Sequence, residues 1–428
     1  MIVIFGASGD LTRKKLIPAL YNLFKKGTLT DSIICLARKK FSTEDFIESL
    51  QLAENIGSNE IDPEFISYLT YYPTDFRKPD INLLQTVLSK EEETIFYLAV
   101  GPDLFQPIID IIKQLGISRK KVVFEKPFGF DLGSATELND CISKTFNEKE
   151  IYRIDHYLGK EMVQNILVFR FANSIFEQIW NRDFIEKVEI TISEAAGIGR
   201  RAEYYENAGA LRDMMQNHLL QLLALTAMNP PISMQADDIR DEVVKVLRKV
   251  KTLNFKVAQY ESYRQEIEKP DSVTETYAAL TLNIDEAKWQ GVPFELKTGK
   301  KLAQRYAEIN LIIKDVTCRL FSRERKIKNL PNTITLRIQP NEGIMVKFNA
   351  KIPGAGMDLQ QVKMDFCHKC EFGPNTPEAY ESLLYEIMEG DQTLFTRWDS
   401  VEASWKIIDP IRQQKKQLSF YQEGSEVF

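Results

Sequence analysis

The first third of the chain carries short runs of consecutive apolar residues. The clearest are Ile2–Phe5, Ile33–Ala37, the apolar part of Glu93–Pro102, and Lys121–Phe124. Continuous rather than alternating apolar character is typical of strands that are buried on both faces of a parallel sheet. The pattern therefore predicts an α/β domain with Rossmann-like topology over residues 1–153.

The later part of the chain changes to alternating apolar and polar positions. Leu280–Ile284, Ile309–Ile313 and Ile334–Ile338 have the two-residue period of half-buried strands, and the turn Pro340–Gly343 predicts a hairpin. Few long helical patterns separate these runs, which favours antiparallel pairing. Residues 154–428 are therefore predicted to form an α+β domain with a large, mainly antiparallel sheet. One face of that sheet needs cover, which an oligomer interface would supply.

Two expectations concern the end of the chain. Val401, Trp405 and Ile408 predict a short helix that ends before Pro410, because proline disrupts a helix interior. The sequence is polar after Arg412, and we expect a loosely held tail there.

Composition restricts the classes of function. The chain has 428 residues, 44% of them hydrophobic and 27% charged, which is ordinary for a soluble globular protein. A net charge of -6 and a pI near 5.5 argue against nucleic acid or an anionic membrane as the main partner. No apolar run approaches the roughly 18 residues that would span a bilayer. The N-terminus has no secretion signal, so a cytoplasmic location is predicted.

Cysteine usage points the same way. The five cysteines are scattered and odd in number, which fits a reducing compartment better than a disulfide framework. Cys367 and Cys370 have metal-ligand spacing around His368, but no second pair completes a tetrahedral site. We interpret this spacing as a coincidence and predict no metal.

A glycine turn follows the first apolar run. Strand, turn and helix start together make an anion site, since glycines let the backbone approach a pyrophosphate that free amides at the helix start can bind. The helical pattern through Leu16, Leu20 and Leu23 ends at Gly27, and Pro18 is expected to kink it. The alternative is an ordinary strand-to-helix turn, because two positions of the usual glycine pattern are filled by other residues. The predicted cofactor-binding residues of the turn are Gly6, Ser8, Gly9, Asp10 and Leu11.

The second strand sharpens the prediction of the cofactor. Folds that bind NAD usually place an acidic residue near its end, whereas this chain has Arg38-Lys39-Lys40. An arginine suits a 2′-phosphate that a carboxylate would repel, so NADP is favoured over NAD. A solvated basic loop is the alternative.

Lys126 follows the run Lys121–Phe124 and is therefore predicted at a strand end, where a charged side chain can reach a ligand crevice. Pro127 and Gly129 fix the turn around it. Taken alone, such a lysine is more often a surface residue.

The heptapeptide Asp155–Glu161 concentrates ionisable side chains around one glycine. We expect a helix there, on which His156 and Lys160, four residues apart, share one face. Two cations on one face need an anion between them, and a phosphate fits, with Tyr157 as a further donor. A surface salt-bridge patch is the alternative.

His218 lies in an apolar helical pattern with Met215, Leu219 and Leu222. A lone histidine in such a pattern is more often a core residue than a catalyst, so spacing alone leaves its role open.

Five motifs, in order and spacing, resemble those of the glucose-6-phosphate dehydrogenase family along nearly the whole chain. They are Gly6–Leu11, Glu125–Gly129, Asp155–Glu161, Arg212–His218, and Gly291–Phe294 continuing through Gly299-Lys300.

The resemblance implies NADP-dependent oxidation of glucose 6-phosphate to the lactone, the first oxidative step of the pentose phosphate pathway, by a homodimer or homotetramer. It implies that His218 is the general base and that Asp155 orients it. The remaining roles also follow from the resemblance. The residues matching the phosphate grip are His156, Tyr157 and Lys160; those matching other substrate contacts are Glu194, Asp213, Lys300 and Arg305; those matching cofactor contacts are Arg38, Tyr97 and Lys126.

Two other functions are weighed against this one. A related enzyme would use another aldose phosphate or accept NAD comparably. A non-catalytic NADP-binding regulator would have no need of a base, and the joint presence of His218, Asp155, Lys160 and Lys126 argues against it.

Overall fold

The structure is a computed structural model. It describes residues 1–57, 61–88, 93–315, 330–354, 356, 358–373, 377–414 and 418–427, apart from the side chain of Arg200. The chain forms two compact units. Unit 1 comprises Met1–Lys160, Ser233–Arg240 and Pro377–Glu402, and unit 2 comprises Glu161–Ile232, Asp241–Thr376 and Ala403–Phe428. The domain boundary predicted after residue 153 stays a prediction, and the units differ from it in placing two later segments with the N-terminal part.

Unit 1 contains a six-stranded parallel sheet in the order β3-β2-β1-β4-β5-β6. This is the order of a dinucleotide-binding Rossmann fold, so the predicted α/β architecture is confirmed. Its strands are β1 Ile2–Phe5, β2 Ile33–Ala37, β3 Leu69–Pro73, β4 Thr94–Leu98, β5 Lys120–Phe124 and β6 Ile151–Arg153.

Strand β1 shows why these runs are continuously apolar. Ile2 and Ile4 belong to the core on one face of the sheet, and Val3 and Phe5 belong to the core on the other. All four are at most 1% exposed. Each such side chain contributes about 1.5–3 kcal/mol when it is buried, so neither face tolerates a polar residue.

Unit 2 contains a nine-stranded sheet in the order β14-β13-β12-β11-β7-β10-β9-β8-β15. Only the pairs β7–β10 and β8–β15 are parallel among its described neighbours, so the predicted mainly antiparallel sheet is confirmed. Its strands are β7 Ile185–Ser193, β8 Val250–Tyr260, β9 Tyr277–Ile284, β10 Phe294–Gly299, β11 Tyr306–Ile313, β12 Thr333–Gln339, β13 Gly343–Lys351, β14 Leu359–Cys367 and β15 Ser419–Tyr421.

The α-helices, in chain order, are α1 Ile17–Lys25, α2 Thr43–Ser49, α3 Leu52–Ile56, α4 Pro63–Ser67, α5 Ile81–Val87, α6 Phe105–Leu115, α7 Leu132–Ser143, α8 Glu161–Phe171, α9 Ser174–Glu177, α10 Ala202–Ala210, α11 Leu220–Ala227, α12 Ala236–Lys249, α13 Tyr263–Glu266, α14 His368–Phe372, α15 Ala379–Glu389 and α16 Trp398–Gln413. Two π-helices, Thr12–Leu16 and Leu211–Leu219, directly precede α1 and α11. No helix of the described ranges is long and apolar enough to cross a membrane.

Proline lies within a continuous helical path at two places. The π-helix Thr12–Leu16 passes without a break into α1, and Pro18 is the second residue of α1. The kink expected at Pro18 stays a prediction. The prediction that the last helix ends before Pro410 was wrong, because α16 runs through Pro410 to Gln413.

The expectation of a loosely held tail was also wrong for the described residues that form β15. β15 pairs in parallel with the end of β8, Tyr421 opposite Tyr260. Tyr421 is 5% exposed and joins a tyrosine-rich core cluster that also holds Tyr205, Tyr263 and Tyr277. Buried aromatic area therefore holds this polar segment in place.

The expectation that the cysteines stay unpaired was wrong for one pair. Cys367 and Cys370 form a disulfide across the first turn of α14. Two sulfurs bonded to each other cannot both act as thiolate ligands, so the spacing does not make a metal site in this state. Among the described residues, Cys35 and Cys141 are free, and Cys318 lies outside them.

Arg170 on α8 should be a large contributor to the stability of unit 2. Its guanidinium is fully buried and donates to the carbonyl oxygens of Leu225, at 2.8 Å, and Met228, at 2.7 Å, at the end of α11. We expect Arg170→Met to lower the free energy of unfolding by about 3 kcal/mol, since two buried carbonyls lose their donors. Thermal unfolding followed by circular dichroism measures this. Arg182→Met, at an exposed arginine, should cost under about 0.5 kcal/mol, and equal losses would contradict the assignment.

Candidate active site

The turn after β1 is fixed from both neighbouring strands. The N–H groups of Gly6 and Ala7 donate to the carbonyl oxygen of Leu36 in β2, at 2.8 and 3.1 Å. Gly6 has φ +89°, and a Cβ there would lie 2.4 Å from the carbonyl oxygen of Ala99, after β4. Only glycine fits between these strands, so the sequence motif has a steric cause.

The tip of this turn faces solvent at the carboxyl end of the sheet. Ser8 and Asp10 are exposed, and Gly9 donates to the carbonyl oxygen of Gly6 at 3.0 Å. Asp10 pairs with Lys14 and Arg13, whose hydrogen bonds lower the pKa of its carboxyl group. The negative charge of Asp10 is thereby compensated beside a turn that is predicted to bind an anion.

The basic residues after β2 lie next to the glycine turn. Arg38, Lys39 and Lys40 are exposed, and the pairing of Phe5 with Leu36 brings the two strand ends side by side. The hydroxyl of Tyr71 donates to the carbonyl oxygen of Lys39 at 2.6 Å and holds this loop in position. The residues predicted to bind the 2′-phosphate and those predicted to bind the pyrophosphate are therefore neighbours in unit 1.

A buried carboxylate links Tyr97 to the loop that carries Lys126. The Tyr97 hydroxyl donates to Glu125 Oε1 at 2.6 Å, and Tyr380 of α15 makes a second hydrogen bond to the same carboxylate. Burial raises the pKa of Glu125, and the two tyrosines and the charge of Lys126 oppose that rise. Lys126 is half-buried at the end of β5, where the sequence predicts it.

Residues Asp155–Lys160 of the heptapeptide are not helical, contrary to the prediction. It forms successive turns, in which Leu158 N–H donates to the carbonyl oxygen of Asp155 at 3.0 Å and Lys160 N–H to that of Tyr157 at 3.1 Å. Asp155 Oδ1 also accepts the N–H of Tyr157 at 3.0 Å. Such a local bond from an aspartate competes with helix formation, and α8 begins only at Glu161.

The predicted phosphate-binding side chains still converge, by a different route. The ring of Tyr157 lies 5.1 Å from the ring of His156 and 5.2 Å from Lys160 Nζ. The ring of Tyr380 stacks parallel to His156 at 6.5 Å. A phosphate site in unit 1 therefore rests on turns rather than on one helix face.

In unit 2, a buried ammonium lies between two carboxylates. Lys300, 3% exposed, follows β10 and donates to Glu194 Oε2 at 2.6 Å. Its Nζ is 3.8 Å from Asp213 Oδ2. Glu194 follows β7, and the parallel pairing of β7 with β10 places the two residues at adjacent strand ends. This cluster offers both donors and acceptors to a polyhydroxylated ligand.

Asp213 and His218 share the π-helix Leu211–Leu219 and are 3% and 1% exposed. Their five-residue spacing equals the i→i+5 hydrogen-bond spacing of a π-helix, a rare element that is often found at functional sites. Asp155 is part of unit 1, whereas His218 and the Lys300 cluster are part of unit 2. Arg305 is exposed in the loop before β11.

The comparisons with known proteins cover the whole chain. Residues 3–165 match the family model "Glucose-6-phosphate dehydrogenase, NAD binding domain", and residues 167–427 match "Glucose-6-phosphate dehydrogenase, C-terminal domain". The chain belongs to the glucose-6-phosphate dehydrogenase family. The predicted resemblance is confirmed, and with it a nicotinamide dinucleotide as the class of cofactor.

Individual members of the glucose-6-phosphate dehydrogenase family agree. The glucose-6-phosphate 1-dehydrogenase of Bacillus subtilis is 40% identical over 99% of this chain and 94% of its own length. That of Aggregatibacter actinomycetemcomitans is 42% identical over 99% and 93%. A solved glucose-6-phosphate dehydrogenase in complex with its substrate glucose 6-phosphate has a TM-score of 0.91 at 34% identity, covering 99% of this chain and 94% of that chain. The Mycobacterium avium structure has a TM-score of 0.89 at 34% identity, covering 100% and 95%.

Four residues that the sequence analysis did not predict as site residues contact the predicted ones. Tyr204 hydrogen-bonds Asp213, and burial and then that carboxylate raise the pKa of its hydroxyl group. The ring of Tyr205 lies 5.0 Å from Lys300 Nζ. Glu125 and Tyr380 act in unit 1 as described. Tyr204 and Tyr205 gave a weak signal as adjacent aromatics just before the histidine helix, whereas nothing local marked Tyr380.

Gly159 should control the shape of the heptapeptide. A Cβ there would lie 2.4 Å from the carbonyl oxygen of Ala379 and 2.9 Å from Leu383 Cγ, both on α15. We expect Gly159→Ala to displace His156 and Lys160 and to weaken glucose 6-phosphate binding about 10-fold, measured by calorimetry.

The matched control is Gly133→Ala on α7, where the nearest atom to a new Cβ, Asp131 Oδ1, is 3.6 Å away. It should leave that affinity unchanged. Equal affinities for the two variants would show that the contact with α15 does not shape the heptapeptide.

Proposed function

We propose that this protein oxidises glucose 6-phosphate to 6-phosphogluconolactone with NADP, the first oxidative step of the pentose phosphate pathway. One observation carries the proposal beyond family membership. A single π-helix supplies both the buried carboxylate of Asp213, next to Lys300, and the buried imidazole of His218. The carboxylate that we propose binds the sugar and the imidazole that we propose accepts the proton therefore lie on the same helix.

The sugar phosphate is bound by two groups of side chains in this proposal. His156, Tyr157 and Lys160 hold the phosphate through charge-assisted hydrogen bonds. The buried cluster of Lys300, Glu194 and Asp213 exchanges hydrogen bonds with sugar hydroxyls, and Arg305 adds a contact from its exposed loop. Because Lys300 already pairs with both carboxylates, little reorganisation is needed when the sugar binds.

His218 accepts the proton of the anomeric hydroxyl. As that O–H bond breaks, its electron pair forms the carbonyl of the lactone, and the hydrogen on C1 leaves as hydride with the electron pair of the C1–H bond. Asp155 has the role that the family resemblance implies, which is to orient the base and stabilise its charged form. A nicotinamide dinucleotide held by the residues of unit 1 would supply the hydride acceptor.

The residues of unit 1 fit a dinucleotide. Gly6 allows the turn after β1 to lie against β4, its tip is exposed at Ser8, and Arg38 is exposed at the neighbouring strand end. Gly9, Asp10 and Leu11 complete the cofactor turn, and Tyr97 and Lys126 belong to the adjacent strand ends. The proposal includes a cytoplasmic homodimer or homotetramer without nucleic-acid or membrane partners.

A spectrophotometric assay tests the function directly. The protein is mixed with glucose 6-phosphate and either NADP or NAD, and formation of the reduced cofactor is followed. Turnover with NADP and a much slower reaction with unphosphorylated glucose are expected. Absence of turnover with both cofactors would refute the proposal and favour a non-catalytic binding protein.

His218→Asn should remove nearly all turnover and leave cofactor binding intact. A general base contributes about 10²–10⁴-fold to a rate, so we expect kcat to fall by about 10³-fold. Stopped-flow or steady-state absorbance measures kcat, and cofactor fluorescence measures binding. His368→Asn, the same substitution on α14, serves as the control and should retain the parent rate. Normal turnover of His218→Asn would remove His218 from the role of base.

Arg38→Ala should narrow the preference for NADP over NAD. Loss of a charge-assisted hydrogen bond to the 2′-phosphate costs about 1.5–3 kcal/mol, which corresponds to about 10- to 100-fold in the ratio of kcat/KM values. Arg119→Ala is the control, because Arg119 is exposed just before the amino end of β5, whereas Arg38 follows the carboxyl end of β2 in the same parallel sheet. An unchanged ratio in Arg38→Ala would mean that other residues hold the 2′-phosphate.

A further inference from the structure

The π-helix that carries Asp213 and His218 begins at a sharp break in the chain. Gly209, at the end of α10, has φ +64° and ψ 176°, so the helical path stops there and restarts. The first N–H groups of a helix have no partner within it and need one elsewhere. Here Ala210 N–H donates to the main-chain oxygen of Glu275 at 2.9 Å, and Leu211 N–H donates to Glu275 Oε1 at 3.2 Å.

The carboxylate of Glu275 occupies the space that a side chain at Gly209 would need. Glu275 is 5% exposed, and a Cβ on Gly209 would lie 2.6 Å from its Oε1. The absence of a side chain at Gly209 therefore lets the carboxylate reach the helix start. A buried carboxylate is costly unless donors surround it, and the N-terminus of a helix supplies N–H groups and a favourable dipole.

Thr276, the residue after Glu275, is hydrogen-bonded to the backbone of Lys300, whose side chain pairs with Glu194 and Asp213. The carbonyl oxygen of Thr276 accepts Lys300 N–H at 3.0 Å. Its hydroxyl shares a hydrogen bond with the Tyr421 hydroxyl at 2.9 Å, and Tyr421 donates to the Lys300 carbonyl oxygen at 2.6 Å. Glu275 and Thr276 thus connect the start of the π-helix with the backbone of Lys300.

We infer that Glu275 is a positioning residue for the reaction. By accepting the N–H of Leu211, it fixes the start of the helix that presents Asp213 to Lys300 and carries His218. The inference rests on the proposed function and adds a residue that does not itself touch the substrate. Its carboxylate acts through the helix, so its loss changes how well the sugar is held while the cofactor-binding turn of unit 1 is untouched.

Three substitutions separate the hydrogen-bond acceptor from the charge. Glu275→Met has a similar volume and no acceptor, and we expect its KM for glucose 6-phosphate to rise and its kcat to fall, with kcat/KM lower by about 30- to 100-fold. Glu275→Gln keeps an oxygen acceptor and should stay within about 3-fold of the parent. Glu275→Asp shortens the side chain and should fall between them. The affinity for NADP should be the same in all three.

The control is Glu206→Met. Glu206 accepts the hydroxyls of Tyr263 and Ser272, both at 2.9 Å, and lines the same cavity of about 530 Å³ as Glu275. Its removal should lower the thermal midpoint without raising KM for glucose 6-phosphate. A purely structural role of Glu275 would give this same result, with kcat scaled by the folded fraction and KM unchanged.

Calorimetric binding of glucose 6-phosphate to the full chain completes the test, because it needs no turnover. If the parent neither binds nor oxidises the sugar phosphate, the proposed function fails. If the parent is active and Glu275→Met and Glu275→Asp keep its KM and kcat, the positioning role is overturned. Equal losses in Glu275→Gln and Glu275→Met would also overturn it, since the acceptor would then not be the group that matters.

Discussion

The burial of the Lys300 ammonium is the constraint on which the arrangement of charged side chains in unit 2 depends. A cation removed from water is strongly destabilising unless carboxylates compensate it, so Glu194 and Asp213 must be held close to it. Those two residues come from a strand end and from a π-helix that are far apart in sequence. The pairing of β7 with β10, the break at Gly209 and the tail strand β15 all serve to bring these three charges together.

A second constraint organises unit 1, where the C-terminal segment returns to the Rossmann sheet. Helix α15 lies against Gly159, and its Tyr380 contacts both His156 and Glu125. Because Glu125 also accepts the Tyr97 hydroxyl, its carboxylate connects β4, which contains Tyr97, to the loop after β5, which contains Glu125 itself. The candidate phosphate and cofactor residues are therefore held in place by a helix more than 200 residues later in the chain.

Much of the fold could be predicted because its signals are local. The apolar runs at β1, β2 and β5 identify strands buried on two faces, and Gly6 marks the point where the turn passes against β4. Motif resemblance implied the roles proposed for His218 and Lys300, and spacing alone had left that of His218 open. Predictions failed where a contact that the local pattern does not report was formed. Asp155 accepts the N–H of Tyr157, and turns form where a helix was predicted. Tyr421 is buried in a strand that pairs with β8, so the polar tail that was expected to be loose is ordered there.

The sequence by itself determined the burial pattern of the strands, and from it the parallel and the antiparallel sheet. It also determined the glycine turn and its basic neighbour. Each of these signals lies in residues that are close together along the chain. Only the tertiary structure decided that Tyr380 meets Glu125, that Tyr421 meets Lys300 and that Glu275 caps the histidine helix. The reason is physical. Periodicity reports which face of an element is buried, but not which distant polar group satisfies a buried donor, and that choice depends on packing over the whole unit.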